Sequence, residues 1–210
     1  MTEFIQLVIA QWHQQSLAEV FAVLFAIAYV WMAAEQKIWC WPAALVSTTL
    51  FTYVFWDVSL LFQMLLNAYY AAMAIVGWMS WRKTGHLTVA RVRTMTMLQH
   101  TFVIGLSAVL TTLIVLFASH WLSYEMLWLD AGITMTSLVV TWLTVRKYLA
   151  SWIYWTMING ASIVLFVSVD LYFLVCLMLI YIVLAMRGFI QWQKDARKYV
   201  DKEVGDIAEA

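Results

Sequence analysis

The chain has 210 residues, of which 65% are apolar and only 11% charged, and its formal net charge is zero. Soluble domains are about half apolar and a quarter charged, so this composition excludes a water-soluble globule. Zero net charge also removes the electrostatic basis for nucleic-acid binding. The apolar runs are continuous over ~20 residues, which suits bilayer-crossing helices rather than the alternating ~10-residue strands of a barrel. The expected fold class is an all-α integral membrane protein.

Residues 1–16 lack the basic region and small-residue cleavage site of a signal peptide. They hold too few apolar residues to span, and Trp12 with its neighbouring glutamines predicts an interfacial N-terminal segment. Seven candidate spans follow, at 17–34, 38–56, 60–81, 98–118, 126–144, 150–169 and 171–192. Each is near the ~20 residues that cross a ~30 Å hydrocarbon layer. The breaks at Trp56-Asp57-Val58 and at Asp170 are equally tight. Residues 82–97 form the long polar connection within the bundle, expected as a cytoplasmic linker. Residues 194–210 form a charged tail, expected to continue span seven as a solvated helix and then fray. Cys40 and Cys176 lie in apolar runs without metal or redox spacing and are read as packing residues.

Charge orients the chain. Lys37 lies between spans one and two, Arg82, Lys83, Arg91 and Arg93 between three and four, and Arg146 and Lys147 between five and six. The remaining five of the 12 basic residues close the chain from Arg187 onward. With seven spans all of them fall on one side, opposite Glu3, Glu19, Asp57, Glu125, Asp130 and Asp170. Six or eight spans would destroy this separation. The positive-inside rule then predicts an outside N-terminus and a cytoplasmic C-terminus.

Spans three and seven both close on glycine, an aromatic residue, two further residues and tryptophan: Gly77-Trp78-Met79-Ser80-Trp81 and Gly188-Phe189-Ile190-Gln191-Trp192, offset by 111. Tyr70 maps onto Tyr181 at the same offset, Lys37 onto Lys147 at 110, and Asp57 onto Asp170 at 113. Residues 17–81 thus read as a first three-helix repeat and 126–193 as a second. Two directly fused three-span units would point in opposite directions, so 98–118 reads as an inserted linker helix that restores a common direction. The expected architecture is seven transmembrane helices in a parallel 3+1+3 repeat about an axis along the membrane normal.

No paired carboxylate, HExxH, GxSxG or metal-ligand cluster is present, and the four histidines lie in loops or at span ends. Neither enzymatic chemistry, a cofactor nor a metal site is expected. No Asp, Glu, Lys or Arg sits at the centre of a span, which favours a passive permease over a proton-driven one. The membrane interior holds aromatic and amide groups instead. Trp152, Trp155 and Asn159 share a face of span six, Asn67 and Tyr70 share a face of span three, and Ser47 lies in span two. A carboxamide in hydrocarbon must find a partner in protein, water or ligand. Tryptophan faces attract cations. Trp beside Asn without a counter-charge suits an aromatic cation bearing hydroxyl groups. Tryptophan is also the usual interfacial anchor, and Trp31, Trp39, Trp41, Trp78, Trp81, Trp121, Trp128, Trp142 and Trp192 near span ends are expected in that role. Trp152 fits either role. Ser47 suits helix packing as well as ligand contact, and Tyr181 lines or gates.

The run Arg146-Lys147-Tyr148 followed by Trp152-xx-Trp155-xxx-Asn159 resembles the signature of the PnuC family of vitamin permeases. Trp39-Cys40-Trp41-Pro42, Gly77-Trp78-xx-Trp81 and Gly188-xxx-Trp192 fit it too, and the resemblance covers roughly residues 17–193. It implies a fold like a full-length SWEET transporter, a homotrimer in the bacterial inner membrane, and facilitated diffusion with trapping by a cytoplasmic vitamin kinase. It implies nicotinamide riboside as substrate, with thiamine or riboflavin in related members. Trp152, Trp155 and Asn159 match the family's binding element. The riboside carriers place Gln where this chain has Asn67 and Asn where it has Ser47, which brings thiamine close behind. A membrane scaffold subunit without substrate is the alternative from another class.

Overall fold

The computed structural model describes residues 2–13, 15–57, 61–83, 92–122 and 126–208. They form α1 (Thr2–His13), α2 (Leu17–Ala34), α3 (Cys40–Asp57), α4 (Leu61–Lys83), α5 (Met97–Ala118), α6 (Leu127–Val145), α7 (Ala150–Ser168) and α8 (Tyr172–Ala208). Among the described residues there is no strand, only an isolated bridge pairing Arg93 with Tyr148. α2 to α7 coincide with the expected spans to within a few residues, and α8 starts where the seventh was expected. Five of them, α2, α5, α6, α7 and α8, are long and apolar enough to cross a membrane, and α3 carries a shorter apolar stretch, Cys40–Val54. Half of the expected 82–97 linker, residues 84–91, lies outside the described residues. The charged tail continues α8 as helix to Ala208.

Local chemistry sets the helix ends. At α2 the Ser16 hydroxyl accepts from the Glu19 N–H while the Glu19 carboxylate accepts from the Ser16 N–H, and Thr96 with Gln99 does the same at α5. The C-terminal ends of α2, α6 and α7 share another device. Gln36, Lys147 and Asp170 take φ of 54°, 58° and 56°. The next N–H in each case reaches back to close the helix, Lys37 to Met32, Tyr148 to Leu143 and Leu171 to Phe166. Glycine is the usual residue at such a position. Here each side chain makes a contact that glycine could not: Lys147 Nζ donates to Gln36 Oε1 at 2.9 Å, and Asp170 Oδ1 accepts from the Tyr172 hydroxyl at 2.8 Å.

Packing repeats with the same period. α2 packs on α3 and α3 on α4, as α6 packs on α7 and α7 on α8, and the two groups meet through α2 against α8 and α4 against α6. A shift of 111 residues carries each of these pairings into the other. The register is uniform. Gln36, not Lys37, is the counterpart of Lys147, and α3 ends at Asp57 where α7 ends at its counterpart Ser168. α5 packs on α6, and α1 on α8. The Gln11 carboxamide fastens α1 to the α7–α8 turn, donating to the Asp170 carbonyl at 2.7 Å and accepting from the Phe173 N–H at 2.9 Å.

The core gathers at the end of the bundle that holds Lys147. Four tryptophans run across it, Trp41 to Trp81 (centroids 5.2 Å), Trp81 to Trp192 (6.1 Å) and Trp192 to Trp152 (5.3 Å). Trp81 Nε1 donates at 3.0 Å to the Val145 carbonyl, and Trp192 Nε1 donates at 3.0 Å to the Ala33 carbonyl. Each half thus sends an indole N–H to the last turn of the other half's first helix. The expectation that Trp41, Trp81 and Trp192 anchor at the interface is therefore corrected, since they are 2%, 4% and 0% exposed. Glycine makes the room: a Cβ on Gly77 would lie 2.4 Å from the Trp41 ring, and one on Gly188 would lie 2.7 Å from the Trp152 ring. Trp31, Trp39, Trp121, Trp128 and Trp142 remain exposed, as anchors do.

Gly188→Ala is expected to lower the melting temperature in detergent. The helix-propensity gain of about 1 kcal/mol is outweighed by displacing a rigid buried ring, which costs up to ~3 kcal/mol or more. Gly105→Ala, where a Cβ meets nothing within 4 Å, is the control expected to hold or raise stability.

Candidate functional site

α7 carries the aromatic and amide stripe read from the sequence. Trp152, 3% exposed, lies on Gly188 with its edge near Trp192, and its indole N–H has no hydrogen-bond partner. One turn on, Trp155 is half-buried, and its Nε1 donates at 3.0 Å to the Thr144 hydroxyl of α6. The Thr144 hydroxyl is itself fixed by donating to the Val140 carbonyl at 3.0 Å. One turn deeper again, Asn159 is 7% exposed, and no described residue hydrogen-bonds its carboxamide. Its amide atoms are not among the fully buried unpartnered polar atoms, so the group is free to meet a ligand.

The other expected residues fall around this stripe. Asn67 on α4 is 8% exposed and already engaged by a neighbour. Tyr70 lies one turn along, half-buried on α4, the helix that packs against α6. Tyr181 on α8 is its counterpart at the 111-residue shift. Ser47 is committed elsewhere: its hydroxyl donates at 2.7 Å to the Ala22 carbonyl and ties α3 to α2. Sequence reasoning missed Tyr29. It packs against the tryptophan-rich core, its ring centroid 6.0 Å from that of Trp41. Tyr29, Tyr70 and Tyr181 are each half-buried. The regular 111-residue register was the available signal, because it sets Tyr29 against Val140.

Two lateral grooves flank α5 and are separate from this stripe. One, about 270 Å³, lies between α4, α5 and α6 and includes Tyr69, Asp130 and Thr134. The other, about 330 Å³, lies between α5, α6 and α7 and includes Ser107, Trp128 and Tyr154. Trp155, Asn159, Tyr70 and Tyr181 line neither. Among the described residues no group of three or more His, Cys, Asp or Glu side chains could hold a metal ion.

Residues 16–194 match the profile of the family described as nicotinamide mononucleotide transporter. The chain belongs to this family. The nicotinamide riboside transporter PnuC of Escherichia coli (strain K12) is 23% identical over 211 residues, covering 87% of each chain, and that of Shigella flexneri aligns equally well. The crystal structure of the vitamin B3 transporter PnuC superposes with a TM-score of 0.74 at 24% identity, covering 92% of this chain and 88% of that one, a likeness of fold. The protein is a multi-pass membrane transporter and not an enzyme.

The transporter's charges meet where its two halves join, at the Lys147 end. Lys147 is 8% exposed, and its ammonium sits 4.2 Å from the centroid of the Trp81 ring. Gln36 Nε2 donates at 2.7 Å to Asp195, and Glu35 pairs with Lys37 at 2.6 Å and Arg187 at 2.8 Å. The Lys37 hydrogen bond holds the Glu35 carboxyl below its usual range. Burial pushes Lys147 from its ordinary 10.5 down to about 8. The unfolded chain therefore binds this proton more tightly than the folded one. The resulting penalty is complete below about pH 8 and fades as pH rises toward 10.5. Lys147→Met is expected to stabilise the transporter at pH 7 by on the order of 3 kcal/mol and to lose that advantage by pH ~10. Thermal unfolding in detergent at both pH values is the check. A less stable variant at pH 7 would mean that the Gln36 and Trp81 contacts outweigh desolvation.

Proposed function

We propose that this transporter mediates facilitated uptake of nicotinamide riboside across the bacterial inner membrane. The observation that carries the reading is the carboxamide of Asn159, a buried residue without a hydrogen-bond partner among the described residues, one turn from Trp155 on α7, with no charged side chain on the stripe. A nicotinamide group offers a carboxamide that can pair reciprocally with that of Asn159. Its pyridinium is a flat cation suited to an indole face. The family description speaks of the mononucleotide, whereas the relatives are riboside transporters. The site favours the riboside. A phosphate dianion needs Arg or Lys donors, and the stripe offers only indole, phenol, hydroxyl and amide groups. In this reading Trp155 stacks on the ring, Asn159 and Asn67 hold polar groups, Tyr70 and Tyr181 line the path, and Trp152 forms the floor. Ser47 acts from behind by fixing α3 on α2.

The architecture proposed with it is seven transmembrane helices in a parallel 3+1+3 repeat, SWEET-like, with α5 as linker helix and α1 as interfacial segment. The 111-residue recurrence of packing supports this. The distribution of basic residues supports an outside N-terminus and a cytoplasmic Lys147 end and C-terminus. The two halves would rock about the central site, with a cytoplasmic kinase trapping the substrate, in a homotrimer as the resemblance implies. The commitment of the Ser47 hydroxyl to Ala22, together with the shorter Asn67, favours thiamine as the second reading.

A thermal-shift series with the purified protein tests this. Nicotinamide riboside is expected to raise the melting temperature, and its mononucleotide is not. Stabilisation by thiamine alone would move the substrate assignment. No shift with any unphosphorylated vitamin would defeat it.

A further inference from the structure

The 111-residue register makes the two halves comparable position by position, and one pair of positions has exchanged its side chains. In the second half α6 carries Val140 and α7 carries Trp155. The counterparts in the first half are Tyr29 on α2 and Ala44 on α3. Large and small residues have changed places. Val140 is 0% exposed and Ala44 is 5% exposed, so both small residues are sealed in packing. Both large rings are half-buried and pack against the same tryptophan-rich core. Each half thus presents one large ring from its first two helices, Trp155 from α7 and Tyr29 from α2. The deeper amide differs as well. The counterpart of Asn159 is Thr48, whose hydroxyl is spent on the Ala44 carbonyl of its own helix at 2.8 Å. Tyr29 is therefore the first half's exchange for the Trp155 position, and it lies on α2, the helix through which the first half packs against α8 of the second. No described residue hydrogen-bonds its hydroxyl.

We infer that Tyr29 is a substrate-binding residue: it supplies the first half's aromatic face to the cationic ring whose other contacts are Trp155 and Asn159. This rests on the proposed binding of a flat cationic ring. It adds that recognition is asymmetric, with phenol faces from α2, α4 and α8, an indole face from α7 alone, and amides from α4 and α7.

Titration calorimetry of the purified full-length protein tests it with two ligands, nicotinamide riboside and its uncharged ring-reduced dihydro form. Tyr29→Phe keeps the ring and is expected to bind the riboside within about threefold of wild type. Tyr29→Val installs the residue found at the equivalent position of the second half and is expected to weaken riboside binding ~10-fold or more. Because the lost term is attraction between cation and ring, the preference for the charged over the reduced ligand should fall by a similar factor. Equal losses for both ligands, or Tyr29→Val within twofold of wild type, would overturn the role of Tyr29 and leave the riboside reading standing. A wild-type protein that binds neither ligand defeats the riboside reading itself, and the same comparison with thiamine against a neutral analogue then decides Tyr29.

Discussion

Asn159→Leu is expected to abolish substrate binding while leaving the protein at least as stable as wild type. The two effects have one cause. Asn159 is 7% exposed and no described residue hydrogen-bonds its carboxamide, so folding gains no protein hydrogen bond from it. Leucine has nearly the same shape and gives up no bond in the folded protein. In the complex the balance reverses. A substrate amide that lost water on entering would meet a methyl group, and the penalty for an unpaired buried polar group typically reaches 10²-fold or more in affinity. Calorimetry should record no binding heat at ligand concentrations that saturate wild type, while the melting temperature without ligand holds or rises. Binding within a few-fold of wild type would remove Asn159 from the site. A collapse of stability would mean that the amide is structural and that its partner is a water bridging to the protein. Trp155→Ala is a harsher test of the same wall, because it also frees the Thr144 hydroxyl and opens a cavity.

Much of this was legible in the sequence, and the limits follow from physics. Hydrophobic length and the tight turns at Asp57 and Asp170 placed α2 to α7 and the start of α8 to within a few residues, because bilayer thickness leaves little freedom. The approximate repeat was visible in Gly77-to-Trp81 against Gly188-to-Trp192. Its register was blurred by matching lysine to lysine, when the conserved feature is a backbone conformation: Gln36 and Lys147 share a left-handed φ, not a charge. Tryptophan near a span end reads as an anchor, and nothing in one sequence separates Trp39, 66% exposed, from Trp192, 0% exposed. The difference lies in which face has a glycine opposite it, and that is a tertiary fact. The Trp155–Asn159 stripe was readable because it lies on one helix. Tyr29 was not, because its significance lies in the exchange with Val140 and in the packing of α2 against α8.

The second large effect is expected at the junction of the halves. Trp81→Phe and Trp192→Phe each keep an aromatic ring in place and delete one N–H donor. Trp81 covers the last carbonyl of α6 at Val145, a group the helix itself cannot satisfy. Trp192 does the same service in the last turn of α2 at Ala33, where the Gln36 N–H also donates. Each substitution should lower stability by ~1–2 kcal/mol, and the loss from the double variant should depart from the sum by ~0.5–3 kcal/mol because the rings touch. A consequence specific to a transporter follows from where these bonds lie. They join one half to the other, so breaking both should favour conformations open at the Lys147 end. Cys40 is a native reporter of that opening: it is 0% exposed and belongs to the same core as Trp41 and Trp81. In a Cys176→Ser background, a membrane-impermeant maleimide supplied from the Lys147 side should react with Cys40 ~10-fold faster in the double variant, in line with an opening made easier by about 1.4 kcal/mol. Nicotinamide riboside should slow the reaction if occupancy draws the halves together. Unchanged labelling beside a lowered melting temperature would mean that the four tryptophans are static packing. The opening toward this side would then have to be sought in the Gln36–Lys147–Asp195 contacts alone.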